Sequence, residues 1–221
     1  MKIERFVDDL AGMRLPAVFN PYHDRCLTSD REDAPKIRRN NLVEYMRAAE
    51  GRVSSVWFGR DLGYRGGRRT GLALTDEQHL TAFSERYGGI SVVKATCGPI
   101  VGERTATVVW GVIRQMPTPP FLWNVFPFHP HTPGDPMSNR CHTPSERRSC
   151  ATLLSSLIDW LQPERIVAIG NDAYKGLTDM GYSATCVRHP SYGGQTDFIR
   201  GIREIYGLSS TDSLPHQQSL F

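Results

Sequence analysis

The chain has 221 residues, a formal net charge of +3 and 39% apolar residues, which suits one domain with a sizeable core. No apolar run approaches ~18 residues, so no membrane span is expected, and the charged start MKIERFVDDLAGM does not read as a secretory leader. Five cysteines (Cys26, Cys97, Cys141, Cys150, Cys186), odd in number and without a CxxC pair, argue against a disulfide framework or a structural zinc and for a reducing cytoplasm.

In chain order, APKIRRNNLVEYMRAAE (34–50) sets Ile37, Leu42, Tyr45, Met46 and Ala49 at helical spacing. SSVWFG (54–59) reads as a strand. The loop GRDLGYRGGRRTG (59–71) follows, with five glycines and four arginines. TDEQHLTAFSERYG (75–88) reads as a helix capped by Thr75 and closed at Gly88. ERTATVVWGVIRQM (103–116) is helical on the spacing of Val108, Val109, Val112, Ile113 and Met116. FLWNVF (121–126) is a second strand. TPSERRSCATLLSSLIDWL (143–161) is one helix, with Thr143 as cap, Pro144 in the first turn and Glu146 completing a capping box. RIVAIG (165–170) and ATCVRH (184–189) are strands, and NDAYKGLTDMG and TDFIRGIREIYG are helices. The sequence after Leu208 is polar and expected to be mobile, so the domain is set at 1–208 and the tail at 209–221. Three of the four strands are nearly continuous in apolar residues, the mark of strands covered on both faces. The fold class expected is an α/β three-layer α/β/α sandwich around a small, mostly parallel four-stranded sheet.

Ligands of an open parallel sheet bind at the C-terminal ends of its strands. Those ends are Gly59–Gly63, Asn124–His129, Gly170–Asp172 and His189–Gly194, and they should converge. Asp61 can align or deprotonate a water, or accept backbone N–H bonds to shape its turn. Asn124, inside an apolar run, either finds backbone partners or presents a carbonyl and an NH2 to a base edge. His189 is held extended before Pro190 and is structural or catalytic. Ser191, Gly193 and Gly194 offer N–H groups suited to a phosphate. His129 and His131 stand two apart with no third ligand nearby in sequence, so no metal is expected.

Basic residues cluster at Lys36, Arg38 and Arg39, at Arg60, Arg65, Arg68 and Arg69, and at Arg147 and Arg148. They are solvated surface or they meet an anionic partner, nucleic acid foremost. The glycine-rich loop is a poor phosphate cradle. No lysine lies between Arg52 and Thr75, as a Walker loop needs, and the G-x-G-x-x-G spacing is absent.

Three segments in this order resemble the motifs of the uracil-DNA glycosylase superfamily. GRDLGY keeps the glycine and aspartate of Gly-Gln-Asp-Pro-Tyr-His as Gly59 and Asp61. GLALT (71–75) is similar to the Gly-Leu-x-Phe-Ser that follows it. FLWN supplies a strand-ending asparagine, Asn124, and His189, Pro190 and Ser191 match His-Pro-Ser. The three motifs lie about 65 residues apart. The resemblance covers most of 54–206 and implies a DNA glycosylase that hydrolyses the N-glycosidic bond of a flipped uracil or related pyrimidine. In that reading Asp61 and His189 are catalytic. Asn124, Gly63, Tyr64, Leu74 and Phe126 surround the base. Arg60, Arg65, Arg68, Arg69, Ser191, Tyr192, Gly193 and Gly194 bind DNA. The family's proline and tyrosine are replaced by Leu62 and Gly63, which removes the wall against the 5-methyl of thymine, and its stacking phenylalanine falls at Leu74. The cysteine spacing supplies no iron–sulphur cluster, so a cluster-free branch without cofactor is implied. A monomer in the cytoplasm is expected. The alternatives are a glycosylase of the same fold for a bulky phage-modified cytosine or a deaminated purine, a non-catalytic binder of damaged or single-stranded DNA, and a nucleotide-binding α/β domain.

Overall fold

The structure, a computed structural model, describes residues 1–208. The tail assigned to 209–221 lies outside the described residues. The chain begins with helix α1 (Ile3–Gly12), a short strand β1 (Val18–Phe19) and helix α2 (Ala34–Ala49). Strand β2 (Ser55–Gly59) leads through the short helix α3 (Gly67–Thr70), a 3-10 turn (Glu77–His79), α4 (Leu80–Arg86) and α5 (Arg104–Ile113) to β3 (Phe121–Asn124). Then come β4 (His129–Pro130), α6 (Pro144–Ser149), α7 (Ala151–Leu161), β5 (Arg165–Ile169), α8 (Asn171–Thr178), β6 (Thr185–Val187) and α9 (Gln195–Tyr206).

Four strands form one parallel sheet in the order β3-β2-β5-β6. Every residue of β2 and β3 is buried. Successive side chains of a strand point to opposite faces, so both faces are covered. Trp57 meets Phe198 and Tyr206 of α9 on one side. On the other, Phe121 stacks on Tyr45 of α2 at 4.4 Å and Trp123 meets Phe6 of α1. That is the three-layer arrangement expected. One large cluster of buried apolar side chains runs from α1 to α9.

The strand order reverses beside β2. The chain goes from β2 to β3 on one side, then crosses to β5 on the other. A crevice opens at such a switch point, outside the carboxyl ends of the strands. Here it lies between the ends of β2 and β5.

Four local features depart from the sequence expectations. The cap of the 3-10 turn is Asp76, whose carboxylate accepts from the His79 N–H, while Thr75 is buried and bonds the Ala73 carbonyl. The helix expected over 143–161 breaks at Cys150: α6 keeps its capping box but buries no residue, whereas α7 buries Leu154, Leu157, Ile158 and Leu161. The break turns an exposed capping segment onto the core. The N-terminal helix α1 and the antiparallel pair β1–β4, with Val18 opposite Pro130, were not foreseen. No helix among the described residues is long and apolar enough to cross a membrane.

Candidate active site

The strand ends do converge. Gly59, at the end of β2, lies opposite Asn124, at the end of β3. A Cβ at Gly59 would sit 3.1 Å from both Asn124 Nδ2 and Leu74 Cδ2, so the glycine lets those side chains pack closely over the strand end. Arg60 spans the switch-point crevice: its Nε donates to an Asp61 oxygen, and its Nη1 donates to Asp172 at 2.8 Å, in the first turn of α8. Gly170, which ends β5 at φ +90°, would place a Cβ 3.1 Å from the Cβ of His189. Contacts through Gly59, Arg60 and Gly170 thus bring the segments that carry Asp61, Asn124, Asp172 and His189 together at one end of the sheet.

The Asn124 side chain is buried, and its Oδ1 has no hydrogen-bond partner among the described residues. A buried amide oxygen left unpaired costs ~1–3 kcal/mol. Such a group calls for a partner from outside the chain, a water or a ligand.

The tautomer of His189 is set by its neighbour. The Ser191 backbone N–H donates to His189 Nδ1 at 3.1 Å, and the Ser191 hydroxyl lies 2.8 Å from the same atom. The neutral ring therefore carries its proton on Nε2. Burial holds the imidazole pKa below its ordinary value, and the positive charges of Arg60 and Arg188 add to this. His189 is a neutral donor at physiological pH.

Asp61 is held on both sides. Besides Arg60, its other oxygen is bonded by Nδ1 of His142, and both side chains are only 5% exposed. Sequence reasoning missed His142. It arrives on the loop after β4, which is fastened at both ends. His129 Nε2 reaches the Ser138 carbonyl (2.8 Å) and Asn139 Oδ1 (3.1 Å), and Asn139 Oδ1 also accepts from the Tyr64 N–H at 3.0 Å. Arg140 binds the Ala17 and His131 carbonyls and both oxygens of Glu146. Burial and the nearby Arg68 press the His129 pKa down to about 4, so this ring is a neutral anchor. Among the described residues, no three or more His, Cys, Asp or Glu side chains cluster as a metal site would require.

Several expected roles are corrected. Arg68 and Arg69 are buried, not displayed to DNA. Arg69 Nε lies 3.1 Å from Glu77, and Arg68 packs over the Phe19 ring and bonds the Pro136 carbonyl. Arg60 is half-buried and committed to its two aspartates. Arg65 is exposed, with only Nε engaged, at the Gly102 carbonyl. The Ser191 and Gly194 N–H groups are taken by His189 Nδ1 and the Ser191 carbonyl; those of Tyr192 and Gly193 have no intrachain partner among the described residues. The opening expected at Gly63 is filled: a Cβ there would lie 2.6 Å from Glu103 Oε1. Burial, and then the charge of Asp76, push the Glu103 carboxyl up to about 7. Phe126 is fully buried, edge-on to Phe128 and tilted against His142. Tyr64 is half-buried. Leu74 sits at φ +53° against Gly59, a left-handed conformation that a leucine holds only at a cost. Tyr192 is 97% exposed at φ +50°.

The C-terminal ends of the parallel strands thus carry a carboxylate held by two donors, an amide oxygen without a partner among the described residues and an imidazole with its proton on Nε2. The model of the uracil DNA glycosylase superfamily matches residues 69–201, more than half of the sequence, and the chain belongs to that superfamily. Membership assigns DNA glycosylase activity in general terms, with DNA as the partner. The match includes Asn124 and His189 and begins beyond Asp61. The crystal structure of SMUG2 from Pedobacter heparinus superposes with a TM-score of 0.65 at 10% identity, covering 94% of this chain and 97% of that one. At that identity the likeness speaks for the fold alone. No curated protein matches the sequence.

Proposed function

We propose that the protein hydrolyses the N-glycosidic bond of a flipped pyrimidine, uracil foremost, and leaves an abasic site in DNA. The observation that carries this reading is the orphaned Asn124 amide at the strand end. Its carbonyl accepts from uracil N3–H while its NH2 donates to O4. No protein partner fixes the amide, so the reversed pattern of a cytosine edge is also within its reach.

Bond breaking builds negative charge on the departing base. His189, with its proton on Nε2, donates to the pyrimidine O2 and stabilises that charge. Asp61, held between Arg60 and His142, faces the sugar as C1′ becomes cationic. Extraction of the base costs a few kcal/mol. Exposed Arg65 and Arg188 and the free N–H groups of Tyr192 and Gly193 offset it by holding phosphates, and Tyr192 fills the vacated stack.

Glu103 favours a second reading. By the family resemblance, Gly63 stands where a tyrosine blocks the 5-position of the base, and here a carboxyl occupies that space. A carboxyl accepts hydrogen bonds, so it suits a 5-hydroxymethyl substituent and disfavours the bare methyl of thymine. Oligonucleotides carrying uracil, 5-hydroxymethyluracil, 5-hydroxymethylcytosine, hypoxanthine or thymine, scored for alkali-labile sites, test both readings. Cleavage at uracil with none at thymine is expected, and preference for 5-hydroxymethyluracil establishes the second reading. Tight binding with no abasic product from any of them refutes both.

A further inference from the structure

We infer that His142 is the base that takes the proton of the attacking water, with Asp61 as its orienting partner. The inference rests on the glycosylase reading above and changes the part Asp61 plays in it.

The geometry is that of a dyad. Nδ1 of His142 is bonded to Asp61, so in the neutral ring Nδ1 carries the proton and Nε2 holds a lone pair. Nε2 makes no hydrogen bond among the described residues and is not fully buried. The ring cannot swing away, because Phe126 packs against one side at 5.3 Å and its loop is stapled at Asn139 and Arg140. Asp61 is poorly placed to act alone, since both of its oxygens already accept charged or polar N–H donors.

The groups around His142 support the transfer. From the loop after β2 come Asp61 and, behind it, Arg60, which Asp172 of α8 neutralises in part. From its own loop come Arg140, committed to Glu146, and the exposed Cys141. The loop after β3 contributes only Phe126. The imidazolium formed by proton uptake therefore lies directly on the Asp61 carboxylate.

The step balances. The C1′–N1 bond breaks and its electron pair leaves with the base, held as an anion at His189 Nε2–H and protonated from solvent on release. The water oxygen bonds to C1′, one of its protons moves to His142 Nε2, and that proton then returns to solvent. Asp61 stays ionised throughout and faces first the sugar cation, then the imidazolium.

His142→Asn is the informative variant, because the Asn Nδ2 reproduces the Nδ1–H donor to Asp61 but offers no base. Single-turnover excision of uracil is followed across pH, with binding to an oligonucleotide carrying the uncleavable C-nucleoside deoxypseudouridine as the control for folding. The expected result is unchanged binding, a rate lower by ~10²–10⁴-fold, and loss of the acidic limb of the parent's pH profile. His142→Ala is expected to regain rate with added imidazole. A His142→Asn rate within about threefold of the parent, or an acidic limb unchanged in the variant, overturns the inference. If His142→Asn does not fold, the His142→Ala result with imidazole decides: no rescue overturns it. A parent that excises no base refutes the glycosylase reading instead, so the two failures are distinct.

Discussion

At the residue scale, the candidate site is built from side chains whose usual partners have been withheld or rearranged. Asn124 keeps an unpaired oxygen, His189 has its proton fixed on Nε2 by the Ser191 N–H, and Asp61 is gripped by two donors. Glu103 is the case with a direct consequence for stability. Burial pushes its carboxyl up to about 7 in the fold from an ordinary 4.5. A carboxyl raised on folding holds its proton longer in the native state, so stability is full below about 4.5, falls as pH rises and levels off above about 7. Glu103→Gln removes that loss. Chemical denaturation of parent and variant at pH 4.5 and 8 should show the parent weakening by at most about 3 kcal/mol more than the variant between the two. Equal slopes would mean that the carboxyl is already ionised and solvated.

At the scale of elements, the four sheet strands and most helices were legible because their signals are local: continuous apolar runs for β2, β3 and β5, a capping box for α6, spaced valines for α5. The motif loops were legible for the same reason, since each follows a strand. The two-residue pair β1–β4 has no period to read, and the break at Cys150 obeys the core rather than the capping signal. His142 was invisible because its place over Asp61 depends on staples between Tyr64, Asn139, Arg140 and Ala17, contacts far apart in sequence. Burial of Arg68 and Arg69 was invisible too, because a buried arginine and a surface one look alike until the acids beside them are placed. The loop between β6 and α9 carries its own prediction. Tyr192 projects fully into solvent from a left-handed turn, a costly conformation that an apolar wedge would justify. Tyr192→Ala should slow excision from duplex DNA by at least about tenfold while leaving single-stranded substrate nearly unaffected, because only the duplex needs its stack filled. Equal losses on both substrates would place Tyr192 in the pocket rather than in the stack.

At the scale of the molecule, a net charge of +3 understates how little basic surface the opening loop provides, since two of its four arginines are internal. Affinity should therefore rest on few phosphate contacts and fall gently with salt. Arg65→Ala should reduce the slope of log K against log salt by ~0.9 and leave thermal stability intact. Arg69→Ala should do the reverse: it strands Glu77, which is buried, at a cost of about 3–5 kcal/mol, and leaves the slope unchanged in whatever fraction folds.

The proposed function puts base excision in the crevice between β2 and β5. The most direct measurement is single-turnover release of uracil from a synthetic oligonucleotide, comparing the parent with His189→Ala and Asn124→Ala. The expected result is an alkali-labile abasic site with the parent and rates lower by ~10²-fold or more in both variants, with DNA binding retained. Parent activity that survives both substitutions undiminished would place the chemistry elsewhere in the molecule.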